Sequence, residues 1–211
     1  MLALVLATVL PVVTGTAARP AEAAAMYPDS AEQLITVRVS SSTATVGLLR
    51  AYNKVDGKWK RWLGPVTARV GAGGVGQASE GSTRTPRGSY PLTETFGRLE
   101  DPGTEMPYFQ TDRYDWWDGN SSSPTYNQHV RRTRSPGGAS ENLYLAGAVY
   151  DYAAVIGYNL GQVPGAGSAF FLHRSNGTAT AGCVAISRPN LRRLLGWLDP
   201  AKDPWIRIGV Y

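Results

Sequence analysis

Two residues, Asp56 and Gly57, constrain the fold of this chain more than any others. They lie between two runs, Thr45 to Tyr52 and Lys58 to Leu63, that are read as paired strands. An Asp-Gly pair tolerates the positive φ angles of a two-residue hairpin, so the chain is predicted to fold back on itself there. Leu34 to Val39 alternates cleanly and is read as the first strand. Pro65 to Val70 continues the strands, Ala153 to Asn159 adds another, and Trp205 to Tyr211 closes the chain. The 24 glycines and 14 prolines favour many turns and short strands over long helices. One helix stands out near the C-terminus. Ser187 is placed to cap it and Pro189 sits in its first turn. Leu191, Leu194, Leu195 and Leu198 share a face, and Asp199-Pro200 ends it. The expected class is mainly β, with sandwich-like curved sheets and this one clear helix.

Chemistry concentrates just before that helix. The only cysteine, Cys183, lies ten positions after His173, one of two histidines. An apolar run, Ala169 to Leu172, delivers the histidine, and a loop of mostly small residues, Ser175 to Gly182, delivers the cysteine. Val184 and Ile186 then resume an apolar alternation. The pattern reads as strand, loop, strand, with both reactive side chains where a strand meets the loop. A thiol attacks as its thiolate, and an imidazole within reach can take the proton. Gly182 lets a substrate carbonyl approach the backbone and suits a turn with φ > 0. The N–H groups of Gly182 and Cys183 are candidates to meet an oxyanion. A lone cysteine is also, in many proteins, an inert buried hydrophobe.

The segment resembles the signature of the L,D-transpeptidase catalytic domain (YkuD-type). His173 matches that family's upstream histidine, and Thr180-Ala181-Gly182-Cys183 matches its Ser/Thr-His-Gly-Cys segment, with Ala181 in place of the second histidine. Arg174 stands where a small residue is common. A further stretch, Thr85-Pro86-Arg87-Gly88 leading to Tyr90 and Leu92, resembles the family segment that lies alongside the catalytic site. The resemblance implies a cysteine acyltransferase with Cys183 as nucleophile and His173 as proton acceptor and donor. It implies peptidoglycan stem peptides as substrates, cross-links as products, and no cofactor or metal. Water as the acceptor would instead make it an L,D-carboxypeptidase. Tyr158, Thr180 and Arg174 are candidates to line the substrate. Papain-like peptidases place cysteine before histidine, the reverse of the order here. A non-catalytic cell-wall-binding module is the remaining alternative.

The rest of the sequence bounds the setting. Leu2 to Val13 is apolar apart from Thr8, and alanine-rich sequence follows to Ala25. This reads as a signal peptide over 1–25, although no basic residue precedes Leu2, which suggests a start further upstream. Residues 26–33 are read as a leader and 34–211 as the catalytic domain. An extracytoplasmic protein, with no membrane span once processed, is expected. The net charge of +5 suits an anionic wall polymer. No dense block of Lys and Arg points to nucleic acid. Gly71 to Gly76 lacks the helix of a nucleotide loop and is read as a turn. Residues 101–140 read as a long loop region, with His129 solvated and no ligands near it for a metal. Arg131, Arg132 and Arg134 are read as a solvated patch, with carboxylate or phosphate binding as the alternative.

Overall fold

The computed structural model describes residues 27–211, so the signal-peptide reading of 1–25 lies outside the described residues. The expected hairpin forms. Strand β1 (Gln33–Val39) pairs antiparallel with β2 (Val46–Val55), and β2 with β3 (Lys58–Arg69). Asp56 (φ 53°) and Gly57 (φ 71°) make the turn between β2 and β3, as their residue types allow. The runs Lys58 to Leu63 and Pro65 to Val70 are one strand with irregular register, not two.

Short strands follow: β4 (Val75–Gly76), β5 (Thr85–Pro86), β6 (Gly88–Gly97) and β7 (Tyr108–Gln110). Next come β8 (Asp115–Trp117), β9 (His129–Arg131), β10 (Glu141–Asn142), β11 (Ala153–Ile156), β12 (Phe171–Arg174) and β13 (Val184–Ile186). Helix α1 (Arg188–Leu195) and strand β14 (Pro204–Val210) complete the chain. The large sheet runs β11-β12-β13-β3-β2-β1-β14-β6-β7, and β11 also pairs with β6. That extra pairing closes the sheet on itself and removes the free edge of β11, the strand beside the one that carries His173.

Alternation fills the interior. Ile35, Val37 and Val39 of β1 are at most 1 % exposed, while Arg38 faces solvent. Leu191, Leu194 and Leu195 of α1, with Leu198 just beyond it, are fully buried in the same core. Burying each such leucine contributes about 1.5–3 kcal/mol. Ser187 occupies the N-cap position but makes no side-chain cap bond, and the helix ends at Leu195 rather than at Asp199. The strand expected over Ala153 to Asn159 stops at Ile156, because Asn159 turns into the left-handed region at φ 54°.

Strands β11, β12 and β13 are buried on both faces. Ala154, Ile156, Leu172, Val184 and Ile186 join the main core. Ala153, Val155, Phe171 and Cys183 join a second, smaller core with Phe96, Trp117, Leu143 and Tyr150. The cover of that second face comes from residues 101–150. The region read as loop, 101–140, contains β7, β8 and β9, and β8 and β9 form a small sheet with β10 just beyond it. Buried carboxylates organise it. Asp118 accepts from the hydroxyls of Ser123 (2.6 Å) and Thr125 (2.7 Å), which helps hold its carboxyl below its ordinary pKa although burial opposes this. Asp115 takes the guanidinium of Arg131 at 2.8 Å and the Nε2 of His129 at 2.8 Å.

Candidate active site

The register of β12 and β13 brings the reactive residues together. The two strands are parallel, with Leu172 opposite Val184 and His173 opposite Ala185. Carried back one position, that register sets Cys183 beside Phe171, and the Phe171 N–H does donate to Cys183 Sγ at 3.4 Å. Phe171 and His173 are two apart on one strand, so both point to the same face. Cys183 and His173 therefore share a face and line one cleft of about 560 Å³.

The loop between them is pinned from the side. Thr180 bridges to Gly71: its N–H donates to the Val70 carbonyl, and its own carbonyl accepts from Ala72 N–H, both at 2.9 Å. The Thr180 hydroxyl donates to the Cys183 carbonyl at 2.6 Å and accepts from Gly182 N–H at 3.1 Å. Thr85 donates to the same carbonyl at 3.2 Å and accepts from Gly71 N–H at 2.7 Å. The glycine run 71–76 thus serves as the shelf for the cysteine loop. Gly182 has φ 153°, and a Cβ there would come within 2.8 Å of the Phe170 ring. No larger residue fits without moving that ring.

Both reactive groups rest neutral. Burial pushes the Cys183 thiol up to about 12, and the nearby Glu141 carboxylate adds to the rise. Burial also lowers the His173 pKa, against the carbonyls of Arg174 and Val149, which favour the charged ring. His173 Nδ1 lies 2.9 Å from the Arg174 carbonyl, which only accepts, so Nδ1 carries a proton. Among the described residues, the sulfur's hydrogen bonds are with Phe171 N–H and the Ala169 carbonyl, the latter at 3.4 Å, and neither involves His173. Ala169 is itself held at φ 58°, a costly conformation for alanine, with its N–H on Asn127 Oδ1.

The other sequence-nominated residues separate. Thr180 lines the cleft. Gly182 lines it too, but its N–H is committed to Thr180. Arg174 does not line it; its guanidinium turns away to Asp151 at 2.6 Å. Tyr158 lines a different cleft, with Val155, Ile156 and His129, and its ring packs edge-on against Tyr90 and Phe170. His129 is not solvated: it stacks on Phe109 at 4.1 Å and bonds Asp115. Arg131 is likewise paired, with Asp112 and Asp115.

The site also holds residues that no sequence pattern singled out. Tyr150 meets the His173 ring edge-on at 5.4 Å and donates its hydroxyl to Glu141 Oε2 at 2.7 Å. Across the cleft, Glu80 accepts from Tyr126 and, at 3.0 Å, from Ser168. The Glu80 contacts join segments 46 and 88 positions apart, and none of these contacts follows a strand or helix period, so local periodicity does not register them.

A closed β domain that places one cysteine and one histidine on a common cleft wall defines a thiol-centred candidate active site. The family model described as the L,D-transpeptidase catalytic domain (YkuD) matches residues 34–207, and the chain belongs to that family. No curated protein and no solved structure matches the chain significantly. Among the described residues, no helix is long and apolar enough to cross a membrane.

Proposed function

We propose that the protein is an extracytoplasmic cysteine acyltransferase acting on peptidoglycan stem peptides. Cys183 Sγ attacks the carbonyl of an L-residue joined to a terminal D-amino acid. A C–S bond forms and the C–N bond breaks. His173 Nε2 takes the thiol proton and passes it to the departing amine. Gly182 N–H exchanges the Thr180 hydroxyl for the developing oxyanion. An amine of a second stem then attacks the thioester: a C–N bond forms, the C–S bond breaks, and His173 passes the amine's proton to the released sulfur, leaving a cross-link and the free thiol. The observation that carries this reading is the shared cleft wall of Cys183 and His173 in a chain of this family. The absence of a bond between them at rest is compatible with it, because catalytic hydrogen bonds often tighten only when substrate binds.

One observation favours a second reading, a wall-binding module without activity. Cys183 is only 8 % exposed, and its sulfur is bonded away from the imidazole. Incubation with purified muropeptides separates the two. The acyltransferase gives cross-linked dimers by mass spectrometry, and Cys183→Ala gives none. Hydrolysed stems alone assign water as the acceptor. Pelleting with sacculi but no thiol-dependent product supports the binding module.

A further inference from the structure

The chain carries a net charge of +5, yet the cleft around Cys183 is acidic. Glu80 and Glu141 line it, and none of the described residues that line it is a lysine or arginine. The arginine closest in sequence to the base is diverted: Arg174, Arg98 and Arg188 all converge on Asp151. The two acidic residues differ in how far they are committed. Glu80 is tied to Tyr126 and Ser168 and acts as a brace between segments. Among the described residues, Glu141 has one side-chain partner, the Tyr150 hydroxyl on Oε2, which leaves Oε1 uncommitted. A largely buried carboxylate with a single neutral partner is poorly compensated and gains most from a cation.

We propose that Glu141 is a specificity-determining residue whose carboxylate, fixed by Tyr150 on the wall it shares with Cys183, receives a positively charged group of the acyl donor. This rests on the acyl-transfer reading of Cys183. An ammonium held there does two things. It compensates Glu141, and it offsets the negative charge that adds to the effect of burial in holding the neighbouring thiol protonated. Recognition of the donor and ionisation of the nucleophile are thereby coupled through one carboxylate. The facing titratable groups are Tyr150, His173, Cys183 and, across the cleft, Glu80.

The test compares thiol reagents of one chemistry and different charge: aminoethyl, methyl and sulfonatoethyl methanethiosulfonate, each normalised to free cysteine. For wild type the ammonium reagent is expected to outpace the sulfonate by about tenfold or more, the size of one charge contact in such a cleft. In Glu141→Gln, which keeps an acceptor for Tyr150, that ratio falls towards one. In Glu141→Asp, a second variant with the charge retained, most of it survives. A ratio unchanged in Glu141→Gln overturns the proposal. A second arm uses peptides ending in L-lysyl-D-alanine or its Nε-acetyl form, read by intact mass. Preference for the free ammonium, lost in Glu141→Gln, supports the proposal. No thioester with either peptide counts against the acyl-transfer reading, while the reagent ratio still decides the role of Glu141.

Discussion

The hydroxyl of Thr85 donates to the carbonyl of Cys183 at 3.2 Å, across 98 positions of sequence. The same oxygen accepts from Gly71 N–H, so one fully buried side chain ties the glycine shelf to the loop that carries Cys183. Thr85→Val keeps the shape and removes both bonds. It is expected to cost about 1–3 kcal/mol, because a buried N–H loses its acceptor. Urea unfolding measures this, and Thr85→Ser should recover part of the loss.

Gly182→Ala places a methyl 2.8 Å from the Phe170 ring and 3.2 Å from the Arg84 carbonyl. Overpacking of this kind costs about 1–3 kcal/mol. The strain falls next to Cys183, the proposed nucleophile, so acyl transfer should fall more than stability does. Pairing the change with Phe170→Leu should recover stability, as read by thermal melts.

The resting protonation states set a pH profile. From pH 9.0 to about 12 the unfolded chain has lost the Cys183 proton that the folded chain keeps, so stability falls as pH rises. Tyr150, raised well above 10.0 by burial, acts in the same direction. Below about 6.5 the unfolded chain binds a proton that buried His173 resists, so stability falls as pH falls. Cys183→Ser should flatten the alkaline limb and His173→Gln the acid limb in denaturation curves taken across pH.

Arg174 is expected to act through Asp151, not through substrate. Its side chain is about one-third exposed and Asp151 keeps Arg98 and Arg188, so Arg174→Ala should cost no more than about 1 kcal/mol. The acyl-transfer KM should stay near wild type. A KM raised with unchanged stability would return Arg174 to the donor site.

Much of the fold was legible because local rules govern it. Asp56-Gly57 specifies its turn, and Ile35, Val37 and Val39 alternate because one face of β1 is buried deeply. The apolar run Ala169 to Leu172 was legible as leading into a strand, but only Phe171 and Leu172 lie in β12, with Ala169 at φ 58°, and their faces were not legible because β12 is covered on both sides. The pairing of Cys183 with His173 came from motif resemblance, and only the parallel register of β12 and β13 gives it a geometric cause. Glu141, Tyr150 and Glu80 reach the cleft through tertiary contacts. His129 looked solvated because Asp115, its partner, lies on the neighbouring strand of the small sheet.

His173→Gln keeps a hydrogen-bonding side chain but removes the base. Loss of a positioned general base typically costs about 10²–10⁴-fold in rate. Acyl transfer should fall by that amount, with the alkylation of Cys183 at high pH, where no base is needed, little changed.

The central claim is that Cys183 becomes acylated. Intact-mass spectrometry of the protein mixed with a peptide ending in an L,D bond tests it most directly. The account predicts a mass increase equal to the acyl fragment, mapped to Cys183 and absent from Cys183→Ala. An adduct that persists in Cys183→Ala, or an unmodified wild-type protein while the stem peptide is consumed, would contradict it.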